Sequence, residues 1–571
     1  MAGRYLITSA LPYINGVKHL GNLIGSMLPA DVYARYLRAR GRHVLFLCAT
    51  DEHGTPAELA AIDAGQDVAV FCREQHQIQA DLARRFRLSF DHFGRSSSPQ
   101  NHELTKYFAR RLEEHGLIEE RTTRQIYSRA DGRFLPDRYV VGTCPHCGFD
   151  GARGDQCENC TRVLDPVDLI SPRSSISGST DVEVRESRHL FFKLPVLAPD
   201  LRSWIESRKD WPPVTVSIAL KWLDEGLQDR GITRDLRWGV PVDRPGFEHK
   251  VFYVWFDAPI EYIGVTKEWA DLEPSARDWK SWWFDATDVV YTQFMAKDNV
   301  PFHTIMFPAT LIGTREPWKL PDFIKAFNWL TYDGGKFSTS RRRGVFMSDA
   351  LEMLPADYWR YYLLANAPES DDADFTWELF AAVVNKDLVG VFGNFVNRVL
   401  KFTASKFEGQ VPDGGAAGPR EAVLLDELRT RLTAYQTHLE ALAFRKALIE
   451  LRAVWAAGNV YLADLEPWKL VERDRPRASA IVRTAINLVR LVAIVSAPVI
   501  PDASDRVLQS LETSADERRW PADLGTEMQA LRPGRRILPA DLLFRRITSD
   551  ETAAWAAQFA GRESPPVGLP G

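Results

Sequence analysis

Cysteine is scarce in this sequence, with six in 571 residues. That excludes a disulfide-stapled secreted scaffold, and a chain this long can bury a large core without staples. Charge of one sign is not in excess either: 71 Lys and Arg against 76 Asp and Glu leave −5. Overall charge therefore identifies no nucleic-acid partner, and any such role must rest on local basic patches. Long apolar runs are also missing. None approaches the roughly 20 residues that span a bilayer, and the start, MAGRYLITSALPYINGVKHLG, has no continuous apolar core of a secretory signal. These absences read as a cytosolic chain with no membrane segment. The length suggests about three or four domains.

What is present is an alternation of short apolar runs and helical stripes. RYLITSAL reads as a buried strand, a turn-rich loop follows, and NLIGSMLPADVYARYLRARG reads as a helix closed by Gly41. Leu23, Met27 or Leu28, Val32, Tyr36 and Leu37 fall on one stripe, and Pro29 should kink or divide that helix. HVLFLCATDEHG is a second strand ending at Asp51, and TPAELAAIDAG a helix with Thr55 as N-cap and Pro56 in its first turn. Strand, helix, strand, helix implies a parallel sheet with ligands at the carboxyl ends of its strands. The pattern changes near residue 120, and strand-like runs return at KVFYVWFDA, DVVYTQFMAKD and HTIMFPATLI. One parallel-sheet domain interrupted by a long insertion is the simplest account. From about residue 380 the apolar stripes are helical, and the last residues, GRESPPVGLPG, read as a loose tail.

Inside the insertion four cysteines are clustered as C-x2-C and C-x2-C: Cys144, Cys147, Cys157 and Cys160. Each pair can grip a metal from one tight turn. Four thiolates make the closed tetrahedral site of structural zinc and leave no open position for catalysis.

Two further stretches point to phosphate. KHLGN, Lys18 to Asn22, lies where a loop gives way to a helix. Free backbone N–H groups and a partial positive charge suit phosphate there. Gly21 permits close approach, and His19 and Asn22 add side-chain donors. Far along the chain, KFSTSRRRGV holds four cations between Lys336 and Arg343 and no carboxylate. Such a loop and a helix terminus can clamp a triphosphate from two sides.

Together these motifs resemble the class I aminoacyl-tRNA synthetases, most closely the methionyl-tRNA synthetase family. HLGN resembles the family's His-x-Gly-His signature and KFSTS its Lys-Met-Ser-Lys-Ser signature. ALPYINGVKHLGN, CATDEHGTP, YVWFDAPIEYI, MAKDNVPFH, the cysteine knuckle and GNFVNR occur in the family's order, over about residues 4–545. Two positions depart from it: Asn22 replaces the second histidine, and Thr339 the second lysine.

The resemblance implies a Rossmann-type α/β catalytic domain split by a zinc-knuckle insertion and followed by an α-helical anticodon-binding bundle. The expected segments are 1–116 and 236–325 for the Rossmann halves, 117–235 for the insertion and 326–385 for a stem-contact region with the basic loop. The bundle would span 386–545 and a tail 546–571. The implied reaction activates L-methionine with ATP and magnesium to methionyl-adenylate, releases pyrophosphate, and charges elongator and initiator tRNA(Met). The substrate carboxylate is the nucleophile, so catalysis is positioning plus charge stabilisation.

By family position, ATP and the chemistry map onto His19, Gly21, Asn22, Lys297, Asp298, Lys336, Ser338, Thr339, Ser340, Arg341 and Arg342. Methionine maps onto Leu11, Tyr13, Asp51, Trp255, Pro259, Tyr262 and His303, and the anticodon onto Asn394, Arg398 and Trp468. Threonine cannot supply a lysine's charge, so Lys336 with Arg341 or Arg342 is expected to take over. Two alternatives are a catalytically weakened tRNA-binding paralogue and a synthetase for another apolar amino acid. The insertion, however, looks too small for the editing domain that the isoleucine, valine and leucine enzymes carry. With no appended C-terminal domain in the sequence, a monomer is expected.

Overall fold

The computed structural model describes residues 3–561 except 156, 158, 161, 163, 339–341, 539 and 540. The chain forms two compact units. The first comprises Met1–Val17, Leu45–Asp81 and Phe90–Ala326, the second Lys18–Val44, Leu82–Ser89 and Phe327–Gly571.

The first unit is built on a five-stranded sheet. In chain order its strands are Arg4–Ser9, His43–Thr50, His92–Arg95, Val289–Ala296 and Phe323–Phe327. In space the order is third, second, first, fourth, fifth. The first strand runs parallel to the fourth, from Arg4 opposite Val289 to Ser9 opposite Phe294, and the second runs parallel to the third. Both faces are covered, so Leu6, Ile7, Leu45, Phe46, Leu47, Tyr291 and Met295 are all buried. That is why these strands read as apolar runs rather than alternations. Strand order reverses between the first and fourth strands, so a ligand crevice is expected outside their carboxyl ends.

Two expected strands are helices instead. KVFYVWFDA contributes only the short strand Val251–Phe252 and then enters the helix Val254–Asp271. HTIMFPATLI forms a π turn, Phe302–Met306, and the helix Phe307–Gly313. Both are buried nearly all round, and short apolar runs without a polar face carry no period to distinguish helix from strand. The helix expected to be capped by Thr55 starts at Thr55, and its cap is Gly54 at φ 92, a conformation that costs glycine little.

Within the insertion, Ile118–Ser128 pairs antiparallel with Val182–Phe192 along their full lengths. A smaller sheet of Val140–Thr143, Asp150–Arg153 and Ile170–Ser174 carries the cysteines. It has its own apolar cluster around Ile126, Tyr139, Val140 and Leu164.

In the second unit the expected break at Pro29 appears as a π turn, Leu23–Met27, ahead of the helix Leu28–Ala39. The bundle includes the helices Pro419–Glu440, Phe444–Leu465 and Arg475–Ser496. Two helical stretches are long and apolar enough to cross a membrane by length and composition, Trp377–Lys406 and Arg475–Ser496, though neither is a continuous apolar run. The second has a mean hydropathy of 1.7 and its apolar window is 89% buried, so its composition follows from its place at the bundle centre. Arg360 is fully buried and donates to Asp31 at 2.7 Å and to the carbonyls of Phe86, Pro498 and Val499. Burial pushes the Asp31 carboxyl up, but Arg35, Arg360 and Ser89 outweigh it and hold it below its ordinary value. Within the segment read as a tail, residues 549–559 form the helix Ser549–Phe559.

Candidate functional site

At the carboxyl ends of the first two strands, Tyr13 and Asp51 form a parallel bridge. The Ile14 N–H donates to the Asp51 carbonyl, and the Asp51 N–H to the Pro12 carbonyl, each at 2.9 Å. Asp51 is thus held rigidly at a strand end and is only 6% exposed. Trp255, Pro259 and Tyr262 are spaced four and three apart on the helix Val254–Asp271 and share one face. The edge of Trp255 meets Phe302, with ring centres 5.1 Å apart.

His303 closes this group. Its Nδ1 lies 2.8 Å from the Asn299 carbonyl, which can only accept, so Nδ1 carries the hydrogen. Nε2 then accepts from the Tyr262 hydroxyl at 2.7 Å. Burial lowers His303 to about 4, which keeps the ring neutral and fixes this tautomer. The Leu11 backbone also hydrogen-bonds the Tyr262 hydroxyl. The result is a carboxylate at one strand end and aromatic, apolar walls, a combination suited to an ammonium and a thioether. Lys297 and Asp298 form the turn directly after the fourth strand.

The second unit holds the two phosphate signatures. His19 precedes the helical turn Leu20–Asn22, and its N–H donates to Asn22 Oδ1 at 3.1 Å. A Cβ on Gly21 would lie 3.0 Å from the His19 ring, a tight contact that would press the ring aside. The His19 ring stacks on Phe337 of the basic loop at 4.5 Å and 13°. Burial, then Lys18, lowers His19 to about 4, leaving a neutral imidazole. The strand-like bridge of His19 with Phe346 joins the same two segments.

The basic loop is closed at its base. Ser338 and Arg343 exchange two backbone hydrogen bonds of 3.0 Å. The Arg343 guanidinium turns back and donates to the carbonyls of Tyr332 and Asp333, both at 3.0 Å. Arg343 is therefore an anchor of the loop. Arg342 is exposed near the tip at φ 50, and Lys336 Nζ lies 5.4 Å above the Trp329 ring. Thr339, Ser340 and Arg341 lie outside the described residues.

The sulfurs of Cys144, Cys147, Cys157 and Cys160 all lie within 4.8 Å of one another, a set that can hold a metal ion. The His146 N–H and the Asn159 amide point at sulfurs. The Phe149 backbone, then Asn159, lowers the Cys147 thiol to about 6, and the thiolate is the form that ligates.

In the helical bundle, Arg398 lies 4.8 Å over the Trp468 ring. Both line a cleft of about 250 Å³ floored by Val399, Phe402 and Leu462. Asn394 begins the helix Asn394–Lys406, one turn before Arg398, and donates to Asn459 Oδ1 at 3.0 Å. All three residues expected to read an anticodon are thus brought together.

Sequence reasoning missed Asn459, which is 65 positions from Asn394 and in no motif quoted above. It also missed Arg230, whose guanidinium lies 6.0 Å from the Trp255 ring. Only tertiary proximity identifies either.

Comparison with known proteins identifies the family. The family described as tRNA synthetases class I (M) matches residues 5–400, and the anticodon binding domain of methionyl tRNA ligase matches residues 411–564. The methionine–tRNA ligase of Ruegeria pomeroyi is 60% identical over 572 residues, covering 98% of this chain and 100% of that protein. That of Streptomyces avermitilis is 58% identical, covering 98% and 99%. A solved Mycobacterium tuberculosis methionyl-tRNA synthetase in complex with methionyl-adenylate superimposes with a TM-score of 0.77 at 26% identity, covering 95% of this chain and 100% of that one.

Proposed function

The chain belongs to the class I methionyl-tRNA synthetases, and from that membership we propose which of its residues carry the reaction. The enzyme activates methionine with ATP to methionyl-adenylate, releasing pyrophosphate, and then charges tRNA. Asp51 receives the substrate ammonium. The face of Trp255, Pro259 and Tyr262, with Leu11, Tyr13 and His303, encloses the thioether. A neutral His303 suits this role, because an imidazolium would repel the ammonium.

The methionine carboxylate attacks the α-phosphate, and negative charge grows there and on the departing pyrophosphate. Neutral His19, Asn22 and the backbone at Gly21 donate to phosphate, and Lys297 and Asp298 lie near the nucleotide. Lys336 and Ser338, with Thr339 and Ser340, form the loop. Lys336 supplies charge from one side of the loop. With Arg343 anchoring its base, Arg341 or Arg342 replaces the lysine missing at position 339. Cations engaging only in the transition state raise the rate of the chemical step rather than ground-state binding. Magnesium arrives with ATP and offsets phosphate charge.

Cys144, Cys147, Cys157 and Cys160 would hold a zinc ion. A tetrahedron with Zn–S bonds of about 2.3 Å has edges of about 3.8 Å. Cys144 and Cys160 are 3.9 Å apart, and Cys147 and Cys157 3.7 Å. Its role is structural. Trp468, Asn394 and Arg398 read the anticodon of elongator and initiator tRNA(Met). The enzyme acts as a cytoplasmic monomer, with the six segments drawn from the sequence as its functional parts.

One observation carries the methionine assignment: a buried carboxylate at a strand end together with an aromatic face closed by a neutral histidine. The test is ATP–pyrophosphate exchange with a panel of amino acids, followed by tRNA charging. Exchange should depend on methionine over isoleucine, leucine and valine. Equal exchange with any of these would overturn the pocket assignment.

A further inference from the structure

Asp51 and Trp255 are far apart in sequence, and the methionine pocket requires them to keep a set separation. One buried bond ties their segments together. His53 Nδ1 lies 2.6 Å from Asp257 Oδ2, with the side chains 1% and 0% exposed. His53 is two residues beyond Asp51, on the turn completed by Gly54. Asp257 is in the first turn of the helix Val254–Asp271, two residues from Trp255 and two from Pro259. Each partner therefore sits beside a group assigned to methionine.

Stability does not account for this pair. His53 Nε2 and Asp257 Oδ1 are buried and make no hydrogen bond among the described residues. The imidazole packs against the rings of Trp238 and His102, at 5.6 and 5.5 Å. Leaving such atoms unsatisfied costs more than filling the same space with apolar groups. Departures of this kind concentrate at functional sites.

We propose that the His53–Asp257 pair is a positioning device for amino-acid recognition. It sets the distance between the Asp51 carboxylate and the Trp255–Pro259–Tyr262 face, and so the side-chain length the site accepts. The inference rests on assigning the ammonium to Asp51 and the thioether to that face.

The test is pyrophosphate exchange by the full chain without tRNA. The variants are Asp51→Asn, His53→Asn and the double variant His53→Leu/Asp257→Leu. Asparagine keeps an N–H donor near the position of Nδ1, while the two leucines keep the interior filled. The readouts are KM for methionine, KM for ATP, and the preference for methionine over its S-ethyl analogue. One methylene commands about 10–200-fold in such sites. The double variant should lose about tenfold of that preference and raise the methionine KM about tenfold, with the ATP KM within about twofold. His53→Asn should recover most of the loss.

A parental methionine KM and preference in the double variant would overturn the proposal. So would an equal rise in both KM values, or no recovery with asparagine. If the double variant does not fold, His53→Phe, which keeps a ring in the space and removes the donor to Asp257, replaces it, and an unchanged preference there overturns the proposal equally. Asp51→Asn separates the two levels of the argument. If it leaves the methionine KM unchanged, the ammonium assignment falls and this inference with it. If it raises that KM while the double variant does not, the positioning role alone falls.

Discussion

Replacing Trp468 with alanine removes one wall of the bundle cleft. Trp468 is 38% exposed and sits on the short helix Pro467–Leu470, so little of the fold's stability depends on it. Two interactions are lost. A base stacked on an aromatic ring contributes about 1–3 kcal/mol. The Arg398 guanidinium over the ring contributes about 0.5–1 kcal/mol at an exposed site, and without it the arginine is free to leave the cleft. Together these give about 1.5–4 kcal/mol, roughly tenfold to 10³-fold in kcat/KM for tRNA. Initial charging rates at varied tRNA concentration measure this, alongside pyrophosphate exchange without tRNA. Charging should fall by that amount and exchange should not change, because adenylate formation needs no anticodon. Trp468→Phe, which keeps a π face, should recover most of the charging rate. An equal loss in both assays would make Trp468 a packing residue, and an unchanged charging rate would remove the cleft from anticodon recognition.

Lys336→Ala, and separately the Arg341→Ala/Arg342→Ala pair, should each lower exchange turnover about 10²-fold, the scale of one oxyanion-stabilising donor. If the arginine pair lost only charging, both arginines would belong to tRNA. Metal analysis should find about one zinc per chain. Cys157→Ser should lower that occupancy while circular dichroism shows the parallel sheet intact, since the knuckle has its own apolar cluster; full occupancy in the variant would refute the ligand set. Arg360→Met should destabilise the second unit by about 3–5 kcal/mol in denaturant unfolding, because it leaves the buried Asp31 carboxylate with Arg35 as its one remaining cationic partner and takes the Arg360 donor from the carbonyls of Phe86, Pro498 and Val499. The folded value of Asp31 is depressed, so the stability it contributes is present above its unfolded value and lost as pH falls through the folded one. Losing Arg360 raises the folded value of Asp31 in the variant, so the gap between parent and variant should shrink as pH falls from that raised value toward the parent's depressed one.

The parallel sheet and the cysteine knuckle were legible because each leaves a local mark. Strands covered on both faces are apolar runs bounded by turns, and a metal grip is a fixed spacing. Trp255 and His303 could be named as pocket residues by resemblance, but their elements could not. Without a polar face, neither segment shows a period that separates helix from strand. The uncertainty between Met27 and Leu28 on the first helical stripe has a definite cause. The π turn holds one residue more than an α turn, and both side chains are buried. Asn459, Arg230 and the His53–Asp257 pair left no mark at all, since each acquires its neighbours only when distant segments fold together.

Two π turns, Leu23–Met27 and Phe302–Met306, each end two residues before a proline, Pro29 and Pro308. In the vocabulary of insertions and deletions, each is a one-residue insertion that the helix absorbs. The widened turn gives the proline ring room that an α turn denies it. The proline and the extra residue are therefore a matched pair. Removing the proline alone frees the turn to relax, but the surplus residue then has to go somewhere. Ahead of Leu28 it would rotate everything upstream by about 100°, and that includes the ring of His19, now stacked face to face on Phe337.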